Sequence, residues 1–150
     1  LVVFALMAAI GSRFFGFVFL GAGPMSLAVF LLGCFLCSLI IGLCVCALVV
    51  LFGTRAETSA WATVNLLVML SGIYYPVSEL PGWAQAVSRA LPLTYFLDDF
   101  RTGYGFPSAF GHPRLMGFGL AALYLVLAHW AFAAAITRSR RTGLLLKLSE

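Results

Sequence analysis

Long apolar runs alternate with short polar breaks along this chain, and the run lengths decide its architecture. The first run, Leu1 to about Leu20, is interrupted at Ser12-Arg13 and ends at Gly21-Ala22-Gly23-Pro24. Glycine frees the backbone there and proline prevents helical continuation. The second run, about Met25 to Phe52, carries no charge and is long enough to cross a bilayer with tilt. A polar loop from Gly53 to Ser59 precedes a third run, about Ala60 to Tyr75, which is short unless Tyr74 and Tyr75 lie at the interface. The fourth run, about Leu115 to Ile136, closes at Thr137-Arg138-Ser139-Arg140-Arg141. The pattern predicts an all-α polytopic membrane bundle with about four spans, at 1–20, 25–52, 60–75 and 115–136, and a tail from 137 to 150.

The pattern changes between the last two runs. Two proline-punctuated segments of about ten residues each would be about 15 Å long as helices, too short to cross about 30 Å of hydrocarbon. Pro81 suits the first turn of a helix. Trp83, Val87 and Leu91 then recur at helical spacing while Gln85, Ser88 and Arg89 fall elsewhere, an amphipathic strip fit for the interface. Pro92 breaks that helix. Thr94 to Tyr104 predicts a second, with Leu93, Phe96, Leu97 and Phe100 apolar and Asp98, Asp99 and Arg101 polar. The expectation over 78–106 is a short helical hairpin, either re-entrant or lying flat at the interface; spacing alone leaves both open.

Composition narrows the class. Hydrophobic residues make up 63% and charged residues 9%, against roughly a quarter charged in a soluble domain, so lipid must cover part of the 150-residue chain. The net charge of +4 comes without a basic groove or aromatic-basic interleaving, which excludes nucleic acid as a partner. Four of the nine basic residues lie after residue 137, a topology signal. The segments 53–59 and 137–150 hold Arg55, Arg138, Arg140, Arg141 and Lys147. The much longer 76–114 segment holds Arg89, Arg101 and Arg114, offset by Glu79, Asp98 and Asp99. The bias places the loop and tail in the cytoplasm and the hairpin outside a plasma (inner) membrane. The chain starts at Leu1, inside an apolar run and without a secretory pattern, and is expected to be the C-terminal piece of a longer protein.

Other constellations are weaker. Cys34-x2-Cys37 and Cys44-x-Cys46 superficially resemble metal ligation, but the helix interior offers no histidine or carboxylate to complete a site. Cys34, Ser38, Gly42 and Cys46 recur every four positions instead, a stripe of small residues that lets helix backbones approach closely in lipid. Arg13 would cost about 2.5–3.5 kcal/mol at mid-membrane and is expected to snorkel. Asn65 and His129 are read as interhelical hydrogen-bonding groups. Ser71 with His129 is the only pair that could imitate an intramembrane protease, and residue 69 is Met where a tight glycine is needed. No catalytic residue and no metal site are expected.

Four motifs in order carry a resemblance: Leu70-Ser71-Gly72-Ile73-Tyr74-Tyr75-Pro76, Leu80-Pro81-Gly82-Trp83, Leu91-Pro92-Leu93-Thr94-Tyr95, and Asp98-Asp99-Phe100-Arg101. With Thr54 to Ala60, they resemble the C-terminal signature of the ABC type-2 exporter permeases over about residues 25 to 136. That resemblance implies spans three to six of a six-span membrane domain, in which the hairpin residues from Ser71 to Arg101 gate or line the exit. It implies that Arg55 and Glu57 lie near a cytoplasmic ATPase. It further implies a dimer with a second permease copy, and export of an amphipathic, lipid-linked or drug-like substrate. The chain has no GxxxxGK[ST], so no cofactor is expected in it; ATP and Mg would belong to the partner ATPase. The alternative is a non-transporting membrane scaffold or assembly subunit.

Overall fold

The computed structural model of the chain describes residues 2–15, 19–53 and 55–142. Among them the architecture is all-helical: α1 (Val2–Phe15), α2 (Pro24–Phe52), α3 (Arg55–Leu70), α4 (Gly82–Ala90), α5 (Pro92–Thr102) and α6 (Pro113–Thr142), with 3-10 turns at Phe19–Ala22 and Val77–Glu79. Two described helices, Pro24–Phe52 and Pro113–Arg140, are long and apolar enough to cross a bilayer. Most of each is open on the chain's own surface, with Phe35, Leu32, Val126 and Trp130 turned outward. Apolar flanks of that kind belong against lipid or another apolar helix.

The helix ends differ from the sequence pattern in four places. α1 runs straight through Ser12-Arg13, because Ser12 returns its hydroxyl to the Ala9 carbonyl at 2.9 Å and leaves the helix intact. The polar segment 53–59 is not a loop: Gly53, at φ 77°, turns the chain, and α3 is helical from Arg55 onward. Thr54 lies outside the described residues. α3 stops at Leu70, before Tyr74-Tyr75. α6 continues past Ile136 to Thr142, so Arg138 and Arg140 ride on its last turns. The remainder of the tail, 143–150 with Lys147, lies outside the described residues.

The core is built around α5. Proceeding along it, Gly103 lies against Ala22, Phe100 stacks on Phe30 with centroids 4.5 Å apart, and Phe96 sits over Gly33. On the other side Arg114 meets Asp99, and Phe118 meets Phe96 edge-on at 5.0 Å. The rising numbers on α2 and α6 against falling numbers on α5 make α5 antiparallel to both. The two long helices are therefore parallel, and Gly53 and Arg138 lie toward the same end. Phe96 is fully buried. A Cβ at Gly33 would fall 2.3 Å from its ring, and one at Gly117 3.1 Å; the two glycines form the slot that admits the ring.

The small-residue stripe read from the sequence is not the face that meets this core. Ser38, Gly42 and Cys46 are exposed and Cys34 is half-buried; a Cβ at Gly42 would meet nothing within 4 Å. The buried face of α2 carries Ser26, Val29, Gly33, Cys37 and Ala47, and that of α6 carries Gly117, Ala121, Ala128 and Ala135. Both faces are rich in small residues, which permits close backbone approach where lipid removes the hydrophobic drive. Periodicity alone cannot choose between two such stripes a few residues apart.

If the slot seats α5, Gly33→Ala should lower the thermal midpoint in detergent micelles, at a cost of about 1–3 kcal/mol for overpacking. Phe96→Leu in the same background should recover part of that loss. Simple addition of the two single losses would show that ring and slot do not interact.

Candidate functional site

The site begins where α3 ends. A helix terminus leaves four carbonyls without intrahelical donors, and apolar surroundings offer no water to replace them. Ser71 N–H donates to the Leu67 and Val68 carbonyls at 2.9 and 3.2 Å, and its hydroxyl donates to Val68 at 2.6 Å. Ser88 of α4, wholly buried, aims its hydroxyl at the Leu70 carbonyl. Arg101 of α5 donates to the Gly72 carbonyl and to that of Ile73 at 3.3 Å. The carbonyls of Leu70, Gly72 and Ile73 at this break are met by side chains 18 to 29 residues away in sequence. Gly72 is buried at φ 88°, and a Cβ there would lie 3.1 Å from the Val77 side chain. Only glycine fits that turn without strain.

The two short helices are joined at Leu91, held extended at φ −93°, ψ 123°. Pro92 both ends α4 and opens α5: it lacks the N–H that helical continuation requires and occupies the first helical position, where none is needed. α5 therefore starts two residues earlier than the Thr94 expected from sequence. Tyr95 packs on Phe110 at 4.6 Å and donates its hydroxyl to the Arg89 carbonyl at 2.8 Å, closing the end of α4. Thr94 is buried, and its hydroxyl has no partner among the described residues.

The adjacent acids have separate tasks. Asp98 accepts from the Ser108 hydroxyl at 2.6 Å and the Ala109 N–H at 3.1 Å, pinning the loop before α6. Asp99, 5% exposed, accepts from Arg114 Nε at 2.8 Å, and Arg114 also donates to the Ser26 hydroxyl at 3.3 Å. One guanidinium thus ties the N-terminal ends of α2 and α6 to α5. Beyond it, Tyr104 packs edge-on against Phe100 at 5.3 Å, and burial raises its phenol above the ordinary pKa.

The remaining sequence-predicted residues spread over two ends of the molecule. Tyr74, Tyr75 and Trp83 are 64–69% exposed, an aromatic group of the kind that favours a membrane interface. Pro76 precedes the 3-10 turn and Pro81 precedes α4. Trp83 belongs to the apolar strip of α4, yet the face of α4 that seats on the protein is Ala84 and Ser88: the need to satisfy Leu70 overrides the apolar pattern. Arg55 opens α3 and Glu57 lies exposed in its first turn, at the opposite end from Asp99. His129 and Asn65 are exposed, so neither bonds between the described helices. Ser88, Ser26, Arg114 and the glycine pair were invisible as site residues in the sequence, since each acts on a partner distant in the chain.

A model of the ABC-2 type transporter family matches residues 1–104, from the start of the chain through α5. No curated protein and no solved structure gave a match.

Ser88→Ala should leave the Leu70 carbonyl without a donor and cost about 1–3 kcal/mol, read as a lower thermal midpoint in micelles. Asp99→Ala and Arg114→Ala should each destabilise, and together by less than their sum, with a coupling of about 1 kcal/mol. Strict additivity would show that the ion pair contributes nothing.

Proposed function

Because the chain belongs to the ABC-2 type transporter family and is a membrane-embedded permease component, we propose that it lines the translocation path of an ATP-driven exporter. The cargo is an amphipathic, lipid-linked or drug-like molecule, and the motor is a cytoplasmic ATPase carrying ATP and Mg. The observation that carries this reading is the hairpin α4–α5. Helices of 9 and 11 residues, about 14 and 17 Å long, cannot span the membrane. Yet Leu93, next to the inner end of α5, packs against the buried cluster that includes Cys37 and lines one cavity with Cys37 and Ile40, about 20 Å along α2 from Pro24. Pro92, Thr94, Tyr95 and Phe96 are all buried there. A hairpin seated that deep, with its broken backbone satisfied by Ser88 and Arg101, favours re-entry over lying flat.

In this reading the chain crosses four times: the α1 region, α2, α3 with the irregular 71–76, and α6. Parallel α2 and α6 support a common side for Gly53 and the arginines at the end of α6, which the positive-inside rule makes cytoplasmic. On the outer side, Arg101 and Arg114 are committed to carbonyls and to Asp99, so they need not count as topology signals. Glu57, exposed at the cytoplasmic start of α3, faces the ATPase. A second permease copy completes the path. Nucleotide-driven closure of the ATPases biases the two states of the membrane dimer, and the movement reaches the outer hairpin through α3, whose far end Ser88 and Arg101 hold.

A cysteine at Glu57 should cross-link to the ATPase in membrane vesicles of the whole exporter. Arg101→Ala should cut nucleotide-dependent export more than tenfold while leaving that cross-link in place. Absence of the cross-link in every nucleotide state, or export indifferent to Arg101, would count against the reading.

A further inference from the structure

The two helices of the hairpin are held by different partners. α5 is fixed to the long helices: Phe96 sits between the glycines of α2 and α6, Asp99 pairs with Arg114, and Asp98 pins the loop that leads into α6. α4 belongs instead to the end of α3. Ser88 bonds to the Leu70 carbonyl, and Gln85 Nε2 donates to the Leu80 carbonyl at 2.8 Å and to that of Ser78 at 3.4 Å. The break after α3, the 3-10 turn and α4 are thereby joined into one body. Among the described residues, three side-chain hydrogen bonds cross from that body to α5: Arg101 to the Gly72 and Ile73 carbonyls, and Tyr95 to the Arg89 carbonyl. The covalent joint is Leu91, extended, followed by a proline without an N–H.

Two further observations fall on the same boundary. Thr94 lies seven residues before Arg101, about two helical turns, and so shares the face of α5 that meets α3 and α4. It is 1% exposed, and its hydroxyl has no partner among the described residues. A buried hydroxyl left unpaired costs free energy that contact with water would relieve. Next to the joint, a cavity of about 380 Å³ lies between α3 and α2, with Val64 and Leu67 on one wall and Ile41 and Cys44 on the other. An apolar seam with a void along it forfeits dispersion contacts, so displacement there breaks few of them.

We propose that the hairpin is a hinge. α5 stays with α2 and α6, while α4 and the end of α3 swing as one body about Leu91–Pro92. Arg101 and Tyr95 form the latch that keeps the two helices closed, and opening admits water to Thr94. The inference rests on the exporter reading, in which α3 carries the movement outward, and it assigns the moving edge of the exit to the boundary between α4 and α5.

The test uses the whole exporter in proteoliposomes, its native cysteines replaced by alanine, with Thr94→Cys as the reporter; that change keeps the volume nearly constant and removes no hydrogen bond. The probe is a charged, water-soluble methanethiosulfonate. Labelling should be slow without nucleotide and at least tenfold faster with ATP and vanadate. Tyr95→Phe, which keeps the ring and removes one bond of the latch, should accelerate it threefold or more without nucleotide; Arg101→Ala serves should the first variant misfold. Ala84→Cys and Ala121→Cys, each at a position 1% exposed and inside one body, should stay slow throughout. A reporter rate that the latch variants leave unchanged overturns the proposal, as does one that nucleotide leaves unchanged while export proceeds. Equal acceleration at all three positions means general loosening and overturns it too. Because the latch variants act without nucleotide, acceleration by them in a protein that shows no ATP-driven export would sink the exporter reading alone.

Discussion

A helix that stops inside an apolar bundle leaves carbonyls with nothing to accept from, and this structure depends on how α3 resolves that difficulty. Ser88 and Arg101 reach the carbonyls of Leu70, Gly72 and Ile73 from two other helices. In water such bonds are worth little, since solvent would replace them. Buried away from water, as Ser71, Gly72 and Ser88 are, the alternative is an unsatisfied group costing about 1–3 kcal/mol, so the same bonds determine where the backbone may break. The hairpin is positioned by that requirement as well as by its apolar residues.

Packing then gives α5 its place. A phenyl ring enters a slot whose two sides are glycines on different helices, and stacked and edge-on rings continue the contact outward. Apolar contact with lipid would serve Phe96 as well in hydrophobic terms, so the selection comes from close fit and dispersion. The Asp99–Arg114–Ser26 cluster fixes the outer end of the same helix. Between them, the slot and the ion pair hold one short helix against two long parallel ones. A displacement of α5 therefore cannot occur without disturbing both.

Hydropathy and punctuation carried much of this into view. The second run coincides with α2 because no charge or proline interrupts it before Gly53, and Pro92 marks the junction of the short helices by its missing N–H alone. The polar segment after Gly53 misled, because Glu57, Thr58 and Ser59 are tolerated on the open face of a helix and polarity does not of itself make a loop. The small-residue stripe differs for another reason: Cys34, Ser38, Gly42 and Cys46 satisfy the same spacing as the seam that α2 presents to α5 and α6, but lie on another face of the helix.

What the chain's order of residues determined was membership of the membrane class, the long apolar helices, the proline-broken pair of short ones and the family they belong to. Those features depend on composition and on neighbours within a turn or two, where local sterics and transfer energies act. Tertiary structure alone decided which face of α2 is buried, that Asp98 and Asp99 serve different partners, and that Ser88 completes the end of α3. Each of these joins residues ten or more apart in sequence, and no local periodicity encodes which distant carbonyl will lack a donor until the helices have met.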